Sequence, residues 1–161
     1  MARRLRPVAL DFVETAPLRF VFAREVSASP EAVYRALAEE VADWPRWFSA
    51  VTSARPLEGG ARREIRLKGG TRFLETVVAA EPGELYAYRA DLTNAPGMRA
   101  LVEEWRIVGV PGGAARVQWT FAADGTALFR GVMKVGRAGL GRAFRDAVGA
   151  LDARLASAPR A

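Results

Sequence analysis

The sequence predicts an α+β domain in which a curved antiparallel sheet of about six to seven strands wraps around a long C-terminal helix, with two short helices after the first strand. Three observations carry that prediction. A central run of short segments alternates apolar and polar residues, and glycine-rich turns separate them. Beyond Gly125 the apolar spacing becomes helical. Ser29-Pro30, directly after the first alternating segment, has the chemistry of a helix start: a capping hydroxyl followed by proline at the first helical position.

In chain order, residues 1–17 read as an N-terminal arm ending at Pro17, with no firm element assigned. Residues 18–157 form the single domain and 158–161 a tail. Residues 18–26 alternate as a half-buried strand. Val33, Leu37 and Val41 then recur at helical spacing, and a second short helix is expected over 43–48. Strands follow at 50–57, 62–68, 71–80 and 84–90. Gly69-Gly70 reads as a two-residue hairpin link, and Pro82-Gly83 as the next turn. A loop is expected over 91–98, then strands at 100–108 and 115–122, joined at Pro111-Gly112-Gly113. Phe129, Met133, Leu140, Phe144, Val148, Leu151 and Leu155 fall on one stripe of a helix over 127–156, about 45 Å long if continuous. Gly136, Gly139 and Gly141 make a kink or break the alternative, because each costs up to ~1 kcal/mol in a helix interior.

Composition excludes several chemistries. The 161 residues hold no cysteine and no histidine. Disulfides, Cys/His zinc sites and Ser-His-Asp or Cys-His catalysis are therefore ruled out. Proton transfer would fall to Asp, Glu, Tyr, Lys or Arg. No phosphate-binding or dinucleotide loop is present, since the glycines of Gly136-Arg-Ala-Gly139-Leu-Gly141 have the wrong spacing and follow no strand. No cofactor is expected. The net charge of +6 comes from 24 basic and 18 acidic residues, and only Lys68 and Lys134 are lysines. That arginine bias reads as a surface choice, and no nucleic acid is expected as a partner. No apolar run reaches the ~20 residues of a membrane span, and the basic start at Met1 to Arg6 is followed by too short an apolar stretch for a leader. The chain is expected in the cytoplasm.

The order of elements and several phrases resemble the START/Bet v 1-like (SRPBCC) superfamily, the "helix-grip" proteins, in the polyketide cyclase/dehydrase branch. The phrases are Val26-Ser-Ala-Ser-Pro-Glu-Ala-Val-Tyr-Arg-Ala-Leu37, Trp44-Pro-Arg-Trp-Phe48, Gly70-Thr-Arg-Phe-Leu-Glu-Thr-Val77, Glu81-Pro-Gly83, Glu104-Trp-Arg-Ile107 and Val117-Gln-Trp-Thr-Phe121. The resemblance covers about residues 18–156. It implies the helix-grip fold and a cavity between sheet and helix. It does not choose among lipid carriers, quinone-binding proteins and aromatases.

Strand parity assigns the faces. Ile65 and Leu67; Phe73, Glu75 and Val77; Tyr86 and Tyr88; Glu103, Trp105 and Ile107; and Val117, Trp119 and Phe121 share the face expected beneath the long helix. Phe129, Met133 and Phe144 would close it from the helix side, where Gly136, Gly139 and Ala143 leave space. Trp47 and Phe48 would plug one end. The expected ligand-binding set is thus Trp47, Phe48, Leu67, Phe73, Glu75, Tyr86, Tyr88, Glu103, Trp105, Trp119, Phe121, Phe129, Met133 and Phe144. The alternative is that these side chains are plain core. Glu75 and Glu103 stand out among aromatics, because a buried lone carboxylate protonates or finds a cation. Arg66, Arg72, Arg89 and Arg106 fall on the opposite parity and should point outward.

Three functions remain open from sequence. The first is a carrier or sensor of a small hydrophobic molecule (lipid, quinone or polyketide-like). The second is an aromatase/cyclase or dehydratase using acidic and tyrosine groups, with no catalytic residue assigned. The third is an interaction module built on the helix residues Arg130, Lys134, Arg137, Arg142, Arg145 and Arg154. A homodimer is also left open.

Overall fold

The computed structural model describes residues 1–158; most of the expected tail, 159–161, lies outside the described residues. The elements run β1 (Arg3–Arg4), α1 (Phe12–Thr15), β2 (Leu18–Val26), α2 (Pro30–Tyr34), β3 (Val51–Leu57), β4 (Arg62–Leu67), β5 (Arg72–Glu81), β6 (Leu85–Thr93), β7 (Met98–Val110), β8 (Ala114–Gly125), α3 (Ala127–Val135) and α4 (Arg137–Ser157). The sheet is antiparallel in the order β2-β8-β7-β6-β5-β4-β3, with β1 added on β6. This is the expected helix-grip arrangement, with one strand more than predicted because the N-terminal arm supplies β1.

Local chemistry explains the elements. Ser29 Oγ accepts from the Ala32 amide at 3.2 Å and Pro30 opens α2, as its sequence predicts. The helix continues as a π turn to Glu39. The expected second helix is a 3₁₀ segment, Val41–Arg46, with Pro45 inside it. It carries Trp44 into the core, where the indole N–H donates to the Leu37 carbonyl at 3.0 Å.

The β4–β5 hairpin differs from the sequence reading. Leu67 N donates to Thr71 O at 2.8 Å, so three residues, Lys68-Gly69-Gly70, form the link. Both glycines have positive φ, +87° and +92°, which side-chain-bearing residues adopt only under strain. The expected 91–98 loop shrinks to 94–97, since β6 runs to Thr93 and β7 starts at Met98. Register shifts at Val51/Ser53, Leu74/Glu75, Val77/Ala79 and Met98/Ala100 bend the strands and curve the sheet.

The arm is ordered. β7 pairs with β6 only as far as Arg89, and the edge it leaves is taken by β1, with Arg3 opposite Thr93 and Arg4 opposite Leu92. On the convex face, Phe12 and Val13 of α1 pack against Ala100, Val102 and Ala122, small side chains that leave room for the short helix.

The C-terminal helix breaks once, at Gly136 (φ −80°, ψ 0°), into α3 and α4. Thr126 caps α3, its hydroxyl accepting from the Phe129 amide at 3.1 Å. The Asp152 carboxylate pins the far end of α4 by accepting from the Ser27 amide, the Ser27 hydroxyl and the Ala28 amide at 2.8–3.1 Å. Across the sheet, Phe144 stacks on Trp119 at 5.9 Å and meets Trp105 at 6.0 Å and Phe22 at 6.0 Å. The helix therefore lies over the concave face.

Candidate functional site

A cavity of about 290 Å³ remains between the sheet and the two helices. Its walls follow strand parity, with Ile65 and Leu67 on β4, Phe73 and Glu75 on β5, Tyr88 on β6, Glu103 on β7 and Trp119 and Phe121 on β8; Met98, of the opposite parity on β7, joins them across the register shift at Met98/Ala100. Phe129 and Met133 of α3 and Leu140 and Ala143 of α4 close the helix side, and Phe48, Ala50 and Val51 the end. Ten of the residues expected from sequence thus border the cavity: Phe48, Leu67, Phe73, Glu75, Tyr88, Glu103, Trp119, Phe121, Phe129 and Met133. A groove near Pro30, about 490 Å³, is larger, but Glu31, Glu81, Glu84 and Arg106 line it at the surface and it reaches no buried polar group.

The other four, Trp47, Tyr86, Trp105 and Phe144, are buried off the cavity. Trp105 is fully enclosed, stacked on Trp119 at 5.6 Å and edge-on to Trp44 at 5.8 Å. Trp47 packs on Trp44 at 4.9 Å, and Tyr86 sits beside Tyr88 at 5.6 Å. Phe144 fills the space over the two stacked indoles. The hollow occupies only the α3 end of the concave face, and these aromatics fill the rest as core. Of the small helix residues expected to open space, only Ala143 borders the cavity. Gly136 forms the break, and Gly139 faces solvent, with nothing within 4 Å of where a Cβ would sit.

The polar corner of the cavity centres on a residue absent from the sequence-derived set. Arg63 is 2% exposed. It lies directly across the β4–β5 ladder from Glu75, and its Nε donates to the Glu75 carboxylate at 2.6 Å. Its guanidinium carbon lies 3.7 Å from the ring centre of Tyr88, 4.3 Å from that of Trp44 and 5.7 Å from that of Tyr86. A cation desolvated against aromatic faces is held by their quadrupoles. The signal that could have found it is parity, because Arg63 shares a face with Ile65 and Leu67. The arginines expected to point outward do so: Arg66, Arg72 and Arg106 are exposed and Arg89 half-buried.

Two carboxyls face this one cation. Burial pushes Glu75 up to about 7, against the pull of Arg63. Burial also raises Glu103, against the Tyr88 hydroxyl, which donates to it at 2.5 Å, and against Arg63. The charge of Glu103 adds to the rise at Glu75, so the two carboxyls resist being ionised at once. Trp105 Nε1 in turn donates to the Tyr88 oxygen at 3.1 Å, fixing the phenol's direction. For Arg63 itself, burial opposes the charge, but Glu75 together with Tyr88 and Tyr86 offsets this and the guanidinium stays protonated. Among the described residues, Arg63 Nη1 and Trp119 Nε1 are buried donors with no hydrogen-bond partner. Trp119 favours the ionised form of Glu103 without closing a bond on it.

Three of the six basic helix residues are engaged locally. Arg130 bonds the Gly125 carbonyl at 2.8 Å, Arg154 pairs with Asp43 at 3.3 Å, and Arg137 lies over Phe20 at 5.6 Å. No helix among the described residues is long and apolar enough to cross a membrane.

Residues 17–156 match a family model described as polyketide cyclase / dehydrase and lipid transport. An uncharacterised protein of Mycobacterium tuberculosis is 32% identical over 120 residues, 71% of each chain, and one of Mycobacterium bovis matches equally. Among solved structures, the protein XoxI of Bacillus cereus superposes with a TM-score of 0.70 at 17% identity, covering 87% of this chain and 96% of that one. A START superfamily protein of Mycobacterium smegmatis gives 0.69 at 14% identity, covering 86% and 97%. These structural likenesses concern the fold.

Proposed function

This chain belongs to the polyketide cyclase/dehydrase and lipid transport family, and on that premise we propose that it binds one small hydrophobic molecule in the cavity between the sheet and helices α3 and α4, as a carrier or sensor. The observation that carries this reading is the cavity itself: about 290 Å³, walled by aromatic and aliphatic side chains, with a single polar corner. Ligand sites have that character, mostly apolar with a few fixed polar groups, and run from about 300 to 1,000 Å³. The volume is at the small end, so it suits a fused-ring, quinone-like or single short-chain compound and excludes a two-chain lipid. Native mass spectrometry of the purified protein, followed by organic extraction, tests the reading. A bound small apolar compound displaced by Phe129→Trp, which fills the hollow, supports it. No bound compound, together with no uptake of apolar probes, refutes it.

One observation favours a catalytic role beside binding. Glu103 faces the cavity with its proton held above the ordinary range and Tyr88 bonded to it, the arrangement of a general acid or base. If the chain acts on its ligand, a bound aryl ketone will exchange its α-hydrogens for deuterium in heavy water faster than in buffer, and Glu103→Gln will abolish the gain.

A further inference from the structure

Resting on the ligand-binding reading above, we propose that the polar corner is a receptor for one uncharged acceptor oxygen, such as a ketone or quinone carbonyl, on an otherwise apolar skeleton, and that it rejects a carboxylate on the same skeleton. Two facts on different strands converge. Arg63 on β4 and Trp119 on β8 both border the cavity, both are at most 3% exposed, and each keeps a buried N–H with no partner among the described residues. Buried donors left unmatched are costly, and an acceptor that meets them recovers that cost. A pure hydrocarbon would leave both unmatched.

The charge balance decides which acceptor. The groups facing the corner are Arg63 from β4, Glu75 from β5, Tyr88 from β6 and Glu103 from β7. Helices α3 and α4 contribute only Phe129, Met133, Leu140 and Ala143, and Asp91 adds negative field at Glu75 from beyond the wall. One guanidinium already answers to two carboxyls. When one of these holds its proton, the corner is neutral, and a carbonyl oxygen completes it without adding charge. A ligand carboxylate would place a third acid beside a single cation in a poorly solvated site, where like charges repel most strongly. Arg63 is therefore a donor for a neutral oxygen, although a cavity-lining arginine would ordinarily read as an anion site.

The test uses three probes of nearly the same shape, 2-ethylnaphthalene, 2-acetylnaphthalene and 2-naphthoate, titrated calorimetrically into the intact chain at pH 7.5. The ketone should bind at least about tenfold tighter than the hydrocarbon and than the carboxylate, the scale of one good buried hydrogen bond. Arg63 also holds Glu75, so the variants are Trp119→Phe and Glu103→Gln. Trp119→Phe trims the wall for every probe, and should cost the ketone several-fold more than it costs the hydrocarbon. Glu103→Gln should narrow the gap between ketone and carboxylate. Equal binding of ketone and hydrocarbon, or tighter binding of the carboxylate, would overturn the proposal while leaving the cavity a ligand site. Failure of all three probes to bind would remove the ligand-binding reading and the proposal with it.

Discussion

Replacing Arg63 with methionine tests how the concave face is held. The side chain is 2% exposed, bonded to Glu75 at 2.6 Å, and faced by three aromatic rings at 3.7, 4.3 and 5.7 Å. Removing one member of a buried ion pair costs about 3–5 kcal/mol, mostly because the other is left unpaired. The lost cation–π contacts add to this, and the methionine chain recovers part of the packing. Glu75 escapes some of the penalty by staying protonated, since its carboxyl already holds a proton to about 7. The net expectation is a loss of about 3–4 kcal/mol, or about 10 °C in Tm for a chain of this size. Urea unfolding at pH 7 followed by tryptophan fluorescence measures it, the four indoles being in or near this cluster. Adding Glu75→Gln to the methionine variant should return about 1–2 kcal/mol, because the neutral amide no longer carries a charge. An Arg63→Met chain within 1 kcal/mol of the parent, or a double variant less stable than the single, would refute this account.

Further outcomes follow from other contacts. Glu75 keeps its proton more tightly folded than unfolded, so its stabilising share is complete below about 4.5 and is lost as the pH rises to about 7. The difference in stability between parent and Glu75→Gln should therefore shift against the parent over that range, by at most about 3 kcal/mol; a flat difference curve would contradict the burial of that carboxyl. A side chain at Gly125 would place its Cβ 2.3 Å from the Phe129 ring and 2.6 Å from the Gly97 carbonyl oxygen, so Gly125→Ala should destabilise by about 2 kcal/mol or more and shift Phe129, read by thermal unfolding and by reduced probe uptake. Asp152→Ala frees the two amides and one hydroxyl at Ser27 and Ala28, and should cost about 1–2 kcal/mol with faster amide exchange at those two residues.

Much of the fold was legible because strand parity survives small errors at strand ends. Phe73, Tyr88, Trp119 and Phe121 can be assigned to one face of the sheet from alternation alone; the cavity beneath it comes from the family resemblance. What alternation does not provide is register. A two-residue link at Gly69-Gly70 would set Arg63 opposite Thr76, whereas the three-residue link sets it opposite Glu75. One residue of slip separates an ion pair from a mismatch. Arg63 escapes a reading from alternation, because a charged residue on an apolar face looks like an exception until its partner is known. Trp105, by strand parity, and Phe144, by helical spacing, lie on the right faces but off the hollow, since periodicity gives the face and not the position of the hollow along it. The arm was unreadable for a simpler reason: a two-residue strand has no period, and β1 exists only because β7 leaves an edge of β6 unpaired.

The pairing of β2 with β8 has a consequence for how the chain is made. Among the described residues, 18–26 find their only sheet partner in residues 115–123. The earliest long strand to leave the ribosome therefore waits, with Leu18 and Phe20 uncovered, until nearly the whole polypeptide has emerged. Contacts this distant in sequence close large loops before they gain anything, which slows folding. The β3–β6 meander, whose pairings are local, can assemble first. That order leaves the capture of β2 by β8 among the last contacts the chain can make.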